Sequence, residues 1–221
     1  MVIWGWGWIK TLNILAISRV MAVVTAAVLV AAWSHDDRGV DDGIVVNQSE
    51  LPGNADFPLK VGGDFELIDH HGKWVTNETY KGRHMLVFFG YVNCKNMCSI
   101  SLSRIGKALE LLGDSVNKLT PLVITVDPER DTPAAMKSAL TKFHPNFIGL
   151  TGKPQQLQAA YQNYKQRPRL VGNDPNNDPI ISHSSYIYLM DRNGEFATLF
   201  PPALNPERMA DIIRKHIDGA A

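Results

Sequence analysis

A chain of 221 residues has room for one domain of ordinary size and an appendage. Lysine plus arginine equal aspartate plus glutamate at 22 each, so nothing attracts nucleic acid. Its 2 cysteines exclude a disulfide-stapled scaffold, which needs several bridges in a short chain, and mark the pair as chemistry instead.

The N-terminus reads as a membrane segment. Residues 12–33 are apolar except for Asn13, Ser18, Arg19 and Thr25, and Val20 to Trp33 carries no charge. At ~1.5 Å per residue such a helix reaches about 33 Å, enough for a bilayer core of roughly 30 Å. Lys10 and Arg19 lie on its N-terminal side, and Asp36, Asp37, Asp41 and Asp42 follow it. That asymmetry predicts an N-in, single-pass anchor over residues 1–33, with the rest of the chain outside the cytoplasm. Trp4, Trp6, Trp8 and Trp33 suit the two interfaces with membrane lipid. A cleaved signal peptide is the alternative, with Val30-Ala31-Ala32 as its small-residue site.

Residues 34–60 are polar and rich in glycine and proline, as expected of a tether with little fixed structure. The folded domain is expected over residues 61–221. Phe65–Ile68 and Lys73–Thr76 flank the turn Asp69-His70-His71-Gly72 as a hairpin. Met85–Phe89 follows as a buried strand, and Ser99–Leu112 as a helix with Leu102, Ile105, Leu109 and Leu112 on one face. Leu122–Val126 is a strand that ends in Asp127-Pro128-Glu129-Arg130-Asp131-Thr132-Pro133. Asp131 or Thr132 can cap the next helix, which runs to about Phe143. Phe147–Leu150 is a short strand and Pro154–Tyr164 a helix, and Arg167–Pro179 reads as a long loop. Ser185–Met190 and Glu195–Leu199 form a hairpin, and Asn205 caps a last helix ending near Ile217. The order predicts an α/β fold: a thioredoxin-like mixed sheet flanked by helices, with an added N-terminal hairpin.

Cys94 and Cys98 stand where the strand Met85–Phe89 gives way to a helix, the place where a thioredoxin-like fold exposes reactive sulfur. Their spacing is C-x3-C, not the C-x2-C of a dithiol oxidoreductase. Their alpha carbons can lie about 6 Å apart, within the disulfide window. A staple closing so short a loop gains only about 2 kcal/mol. Helix N-terminal amides and Lys95 favour ionisation of both sulfurs. Two soft thiolates favour Cu(I) but need a third ligand for a closed site. Of the 7 histidines, His35 lies in the tether, His70 and His71 in a turn, and His144 and His216 at helix ends. His183, in Ile181-Ser182-His183-Ser184-Ser185 ahead of a strand, approaches the cysteine loop in such a sheet. From position alone it reads first as a loop histidine with ordinary hydrogen bonds, and only second as a ligand.

The chain resembles the Sco/SenC family of membrane-anchored, thioredoxin-like copper chaperones for cytochrome c oxidase assembly. The resemblance rests on Gly62-Gly63-Asp64-Phe65, Phe89-Gly90-Tyr91, the C-x3-C, Val126 to Pro133, Gly149-Leu150-Thr151-Gly152, His183-Ser184-Ser185 and Leu189-Met190-Asp191. It implies that Cys94, Cys98 and His183 bind one copper ion, as Cu(I) or Cu(II). It further implies delivery to a copper-accepting oxidase subunit, a thioredoxin-type reductant as partner, and an inner-membrane protein with a periplasmic domain. A thiol–disulfide oxidoreductase that reduces partner cysteines for metallation is the alternative function. Lys95 and Ser99 stand where the family usually has proline, Asn96 where it has aspartate and Val92 where it has threonine. These changes keep the ligand atoms, remove one negative charge and add a positive one. Asp127 and Asp131 lie in the motif near the expected metal, with roles in docking, proton handling or simple capping.

Overall fold

The computed structural model describes residues 46–47, 60–94 and 97–219. The expected anchor over 1–33 lies outside them. Among the described residues no helix is long and apolar enough to cross a membrane.

Strands β1 (Val46–Asn47), β2 (Glu66–Asp69), β3 (Trp74–Thr76), β4 (His84–Gly90), β5 (Leu119–Thr125), β6 (Ile148–Thr151), β9 (Ile187–Met190) and β10 (Phe196–Phe200) form one mixed sheet. Their order is β1-β10-β9-β4-β5-β6-β2-β3. Strands β4, β5 and β6 run parallel, and β9 and β2 join them antiparallel. Every residue of β4 and β5 is buried, which is why both read as unbroken apolar runs rather than alternating ones. Helices α1 (Met97–Leu112), α2 (Pro133–Leu140), α3 (Pro154–Asn163) and α4 (Pro206–Asp218) flank the sheet, with α1 packed on α4. Neighbours on β4 point to opposite faces. Phe89 faces Tyr161 of α3, Tyr164 just beyond it and Tyr188 of β9.

The expected thioredoxin-like α/β fold with its N-terminal β2–β3 hairpin is the observed one. Asn205 caps α4 as expected, accepting from the Glu207 and Arg208 amides, and Gly219 closes the helix in the left-handed region at φ 75°.

Two expectations are corrected. Within the supposed tether, Val46–Asn47 pairs with Leu199 and Thr198 and extends the sheet at its edge. The supposed loop Arg167–Pro179 contains β7 (Arg169–Asn173), which pairs with β8 (Pro179–Ser182) as a separate two-stranded sheet. Its apolar residues fall between prolines and polar turn residues, so no alternation betrays it. Of the two expected candidates, Thr132 caps α2 by accepting from the Ala135 amide. Burial holds the His216 imidazole, near the end of α4, below its ordinary value.

Candidate metal centre

The cysteine segment hangs from the carboxyl end of β4, where open α/β sheets place their ligands. The Cys94 amide donates to the Tyr91 carbonyl at 3.3 Å, turning the chain back toward α1. Cys98 then falls in the first turn of α1 and is 1% exposed, whereas Cys94 is half-buried. No disulfide joins them. Lys95 and Asn96 lie outside the described residues.

His183 enters from the far side, directly after β8. Its Nδ1 lies 2.9 Å from the Ser184 carbonyl, which can only accept, so Nδ1 carries the proton. The lone pair is therefore on Nε2, and Nε2 lies 3.4 Å from Cys98 Sγ. Fixing one ring nitrogen on a backbone carbonyl is the usual support for a metal-ligating imidazole. Two ligands of one first-row ion, a sulfur at about 2.3 Å and a nitrogen at about 2.0 Å, stand roughly 3.3–3.8 Å apart at angles of about 100–120°. The observed gap fits that edge.

Cys98 does not stand ionised, contrary to expectation. A hydrogen bond with the Cys94 sulfur, reinforced by burial, pushes the Cys98 thiol far above its ordinary value, against a weaker pull from the Tyr91 amide. The helix amides lose to burial because Cys98 is enclosed. The Cys98 S–H thus faces two acceptors, the His183 Nε2 lone pair and the Cys94 sulfur. Among the described residues no three His, Cys, Asp or Glu side chains are already gathered to hold a metal ion. Cys98 pairs with His183 and with Cys94, so a metal has to displace protons and draw the third donor in.

Aromatic rings hold the imidazole. Phe88 and Tyr91 meet His183 edge-on, with centroids 6.4 and 6.2 Å away. The Phe88 ring lies over Gly90, where an added Cβ would sit 2.6 Å from Phe88 Cε1. Phe88 is 1% exposed and has nowhere to turn. Gly90→Ala should therefore destabilise the domain by about 2 kcal/mol through overpacking. A denaturant midpoint equal to wild type would show that the ring gives way freely.

Asp131 is fully buried, which removes it from docking. Its carboxylate accepts from the Thr125 hydroxyl at 2.7 Å and from the Val92 amide at 3.2 Å, so it grips the cysteine loop from beneath. Burial pushes its carboxyl up to about 6 despite those donors. Asp127 pairs with Arg130. Of the remaining described histidines, His70 is buried and accepts the Gly149 amide on Nδ1, with Nε2 turned to His71. His84 and His144 are held below their ordinary value by burial. The contributions of Phe88, Gly90 and Tyr91 escaped sequence reasoning. The one available signal was a glycine closing an otherwise bulky buried strand.

The model of the SCO1/SenC family matches residues 53–218. The chain belongs to the SCO1/SenC family. An SCO2-like protein of Rickettsia conorii is 38% identical over 157 residues, 71% of this chain and 77% of its own. Among solved structures, Bradyrhizobium japonicum ScoI with copper bound shares 38% identity with a TM-score of 0.66, over 71% of this chain and 99% of that one. Yeast Sco1 with copper bound shares 33% at a TM-score of 0.65, over 72% and 89%.

Proposed function

We propose that this chain is a copper metallochaperone that binds one copper ion through Cys94, Cys98 and His183 and passes it to a respiratory oxidase. The observation that carries this reading is the His183 lone pair, fixed by Ser184 and set 3.4 Å from Cys98 Sγ. Two thiols and one imidazole are a donor set for a soft first-row ion, and copper is the cargo that family members such as Bradyrhizobium japonicum ScoI hold. The Sco family is one of cytochrome c oxidase assembly proteins, which supports a copper-accepting oxidase subunit as recipient. Residues 1–33 anchor the chain in the inner membrane, residues 34–60 link that anchor to the domain with Val46–Asn47 paired to its sheet edge, and the domain works on the periplasmic side.

The full chain, reduced and titrated with Cu(I) against a chromophoric chelator, should bind one equivalent tightly. Binding should vanish when Cys94 and Cys98 are joined in a disulfide, because both thiolates are consumed. Copper retained at one equivalent after oxidation would remove the sulfurs from the site.

The contact between the two sulfurs favours a second activity on the same residues. Cys94, the more exposed, attacks a partner's disulfide as the thiolate and forms a mixed disulfide. Cys98 then displaces the partner, whose two sulfurs leave reduced as Cys94–Cys98 closes. A thioredoxin-type dithiol supplies the two electrons and protons that reset the pair.

A further inference from the structure

Among the described residues, the hairpin that delivers His183 has no strand pairing with the main sheet. Every residue of β7 is exposed, including Leu170 and Val171. An open groove of about 370 Å³ runs between the hairpin residues Leu170 and Ile181 and the body residues Val126, Leu157 and Tyr161. Apolar packing therefore holds the hairpin loosely, and its placement depends on polar ties.

Those ties converge on Arg130. Its Nε donates to Asp127 on the β5–α2 loop at 2.5 Å. Its Nη1 donates to Asp178 at 3.2 Å and its Nη2 to the Pro179 carbonyl at 3.1 Å, both at the start of β8. The guanidinium carbon stands 5.7 Å from the centre of the Tyr91 ring, which itself meets the His183 imidazole. One planar fork thus spans the body and the hairpin, and β8 ends at Ser182, one residue before His183.

We propose that Arg130 is the positioning residue for His183: it clasps the β7–β8 hairpin and thereby keeps the imidazole at Cys98. The proposal rests on the assignment of His183 as a copper ligand. Arginine is needed because its donors reach acceptors on two segments while its guanidinium stands over Tyr91, which a lysine ammonium cannot do.

The test compares Arg130→Ala, Arg130→Lys, His183→Ala and the Arg130→Ala/His183→Ala double variant in the full chain. Without copper, amide hydrogen exchange of peptides from 169–182 should speed up at least tenfold in Arg130→Ala, with β4 and β5 unchanged. With Cu(II), Arg130→Ala should lower affinity roughly tenfold and Arg130→Lys nearly as much. In the double variant the arginine change should cost nothing beyond His183→Ala, because a clasp acts only through the residue it places. Unchanged hairpin exchange overturns the clasp whatever copper does. Additive losses, or full recovery by lysine, overturn positioning in favour of a charge effect. If His183→Ala itself leaves copper affinity intact, the ligand assignment fails and positioning falls with it, while the exchange data still separate that failure from a missing clasp. Global loss of exchange protection in the alanine variant is read against lysine: if lysine folds with its hairpin as protected as wild type, the clasp is overturned.

Discussion

His183→Ala should lower Cu(II) affinity at least a hundredfold while weakening Cu(I) only about tenfold. The two states differ in what they ask of the site. Cu(I) is soft and stays with two thiolates, both of which survive the substitution. Cu(II) is harder and prefers nitrogen donors, and among the described residues only His183 places an imidazole lone pair on the cysteine cluster, 3.4 Å from Cys98 Sγ. Thiol exchange with a model disulfide should change much less than copper binding, because Cys94 and α1 keep their local field. Competition titrations with both copper states, run beside exchange rates, read the difference. Cu(II) affinity equal to wild type would reduce His183 to a loop residue that accepts a thiol proton. Exchange lost with copper binding intact would make the oxidoreductase activity the main one.

Much of this site was legible in the sequence, for identifiable reasons. A buried parallel strand followed by an amphipathic helix announces itself through composition, so the junction carrying Cys94 and Cys98 was found by pattern. The Thr-Pro and Asn-Pro pairs at 132–133 and 205–206 mark helix starts because proline suits the first turn and the preceding side chain can accept orphan amides. His183 could be placed near the cysteines only by resemblance, since its approach depends on a hairpin without periodicity. The protonation of Cys98 was misjudged because helix amides and Lys95 are visible in sequence, whereas enclosure and the contact with Cys94 are not. Arg130 and Asp131 are adjacent in sequence yet serve different segments, one reaching out to the hairpin and the other inward to Val92. Such division is set by which way the loop turns, and only coordinates reveal it.

Asp131 should give the copper-free domain a stability that falls as pH rises from about 4 to about 7. Burial raises its folded carboxyl from 3.8 to about 6, so between those values the folded state holds a proton that the unfolded chain has released. Its favourable contribution is complete below about 3.8 and is lost as pH passes through 6. The shift of roughly two units corresponds to something on the order of 2–3 kcal/mol. The buried His70 and His84 and the half-buried His144 and His216 act the other way. Their lowered values stabilise the fold above about 6.5 and cost stability as pH falls, so the net curve of wild type hides the carboxyl. Asp131→Asn isolates it. Val92 and Thr125 both donate closely to one carboxylate oxygen, Oδ2, which an amide oxygen can replace. The asparagine variant should therefore keep the cysteine loop in place, and its advantage over wild type should grow by about 2 kcal/mol between pH 4 and pH 7. Urea midpoints of both reduced, copper-free chains across that range measure the difference. A difference constant with pH would mean that Asp131 is ionised throughout, held by Thr125 and Val92 more strongly than burial opposes it.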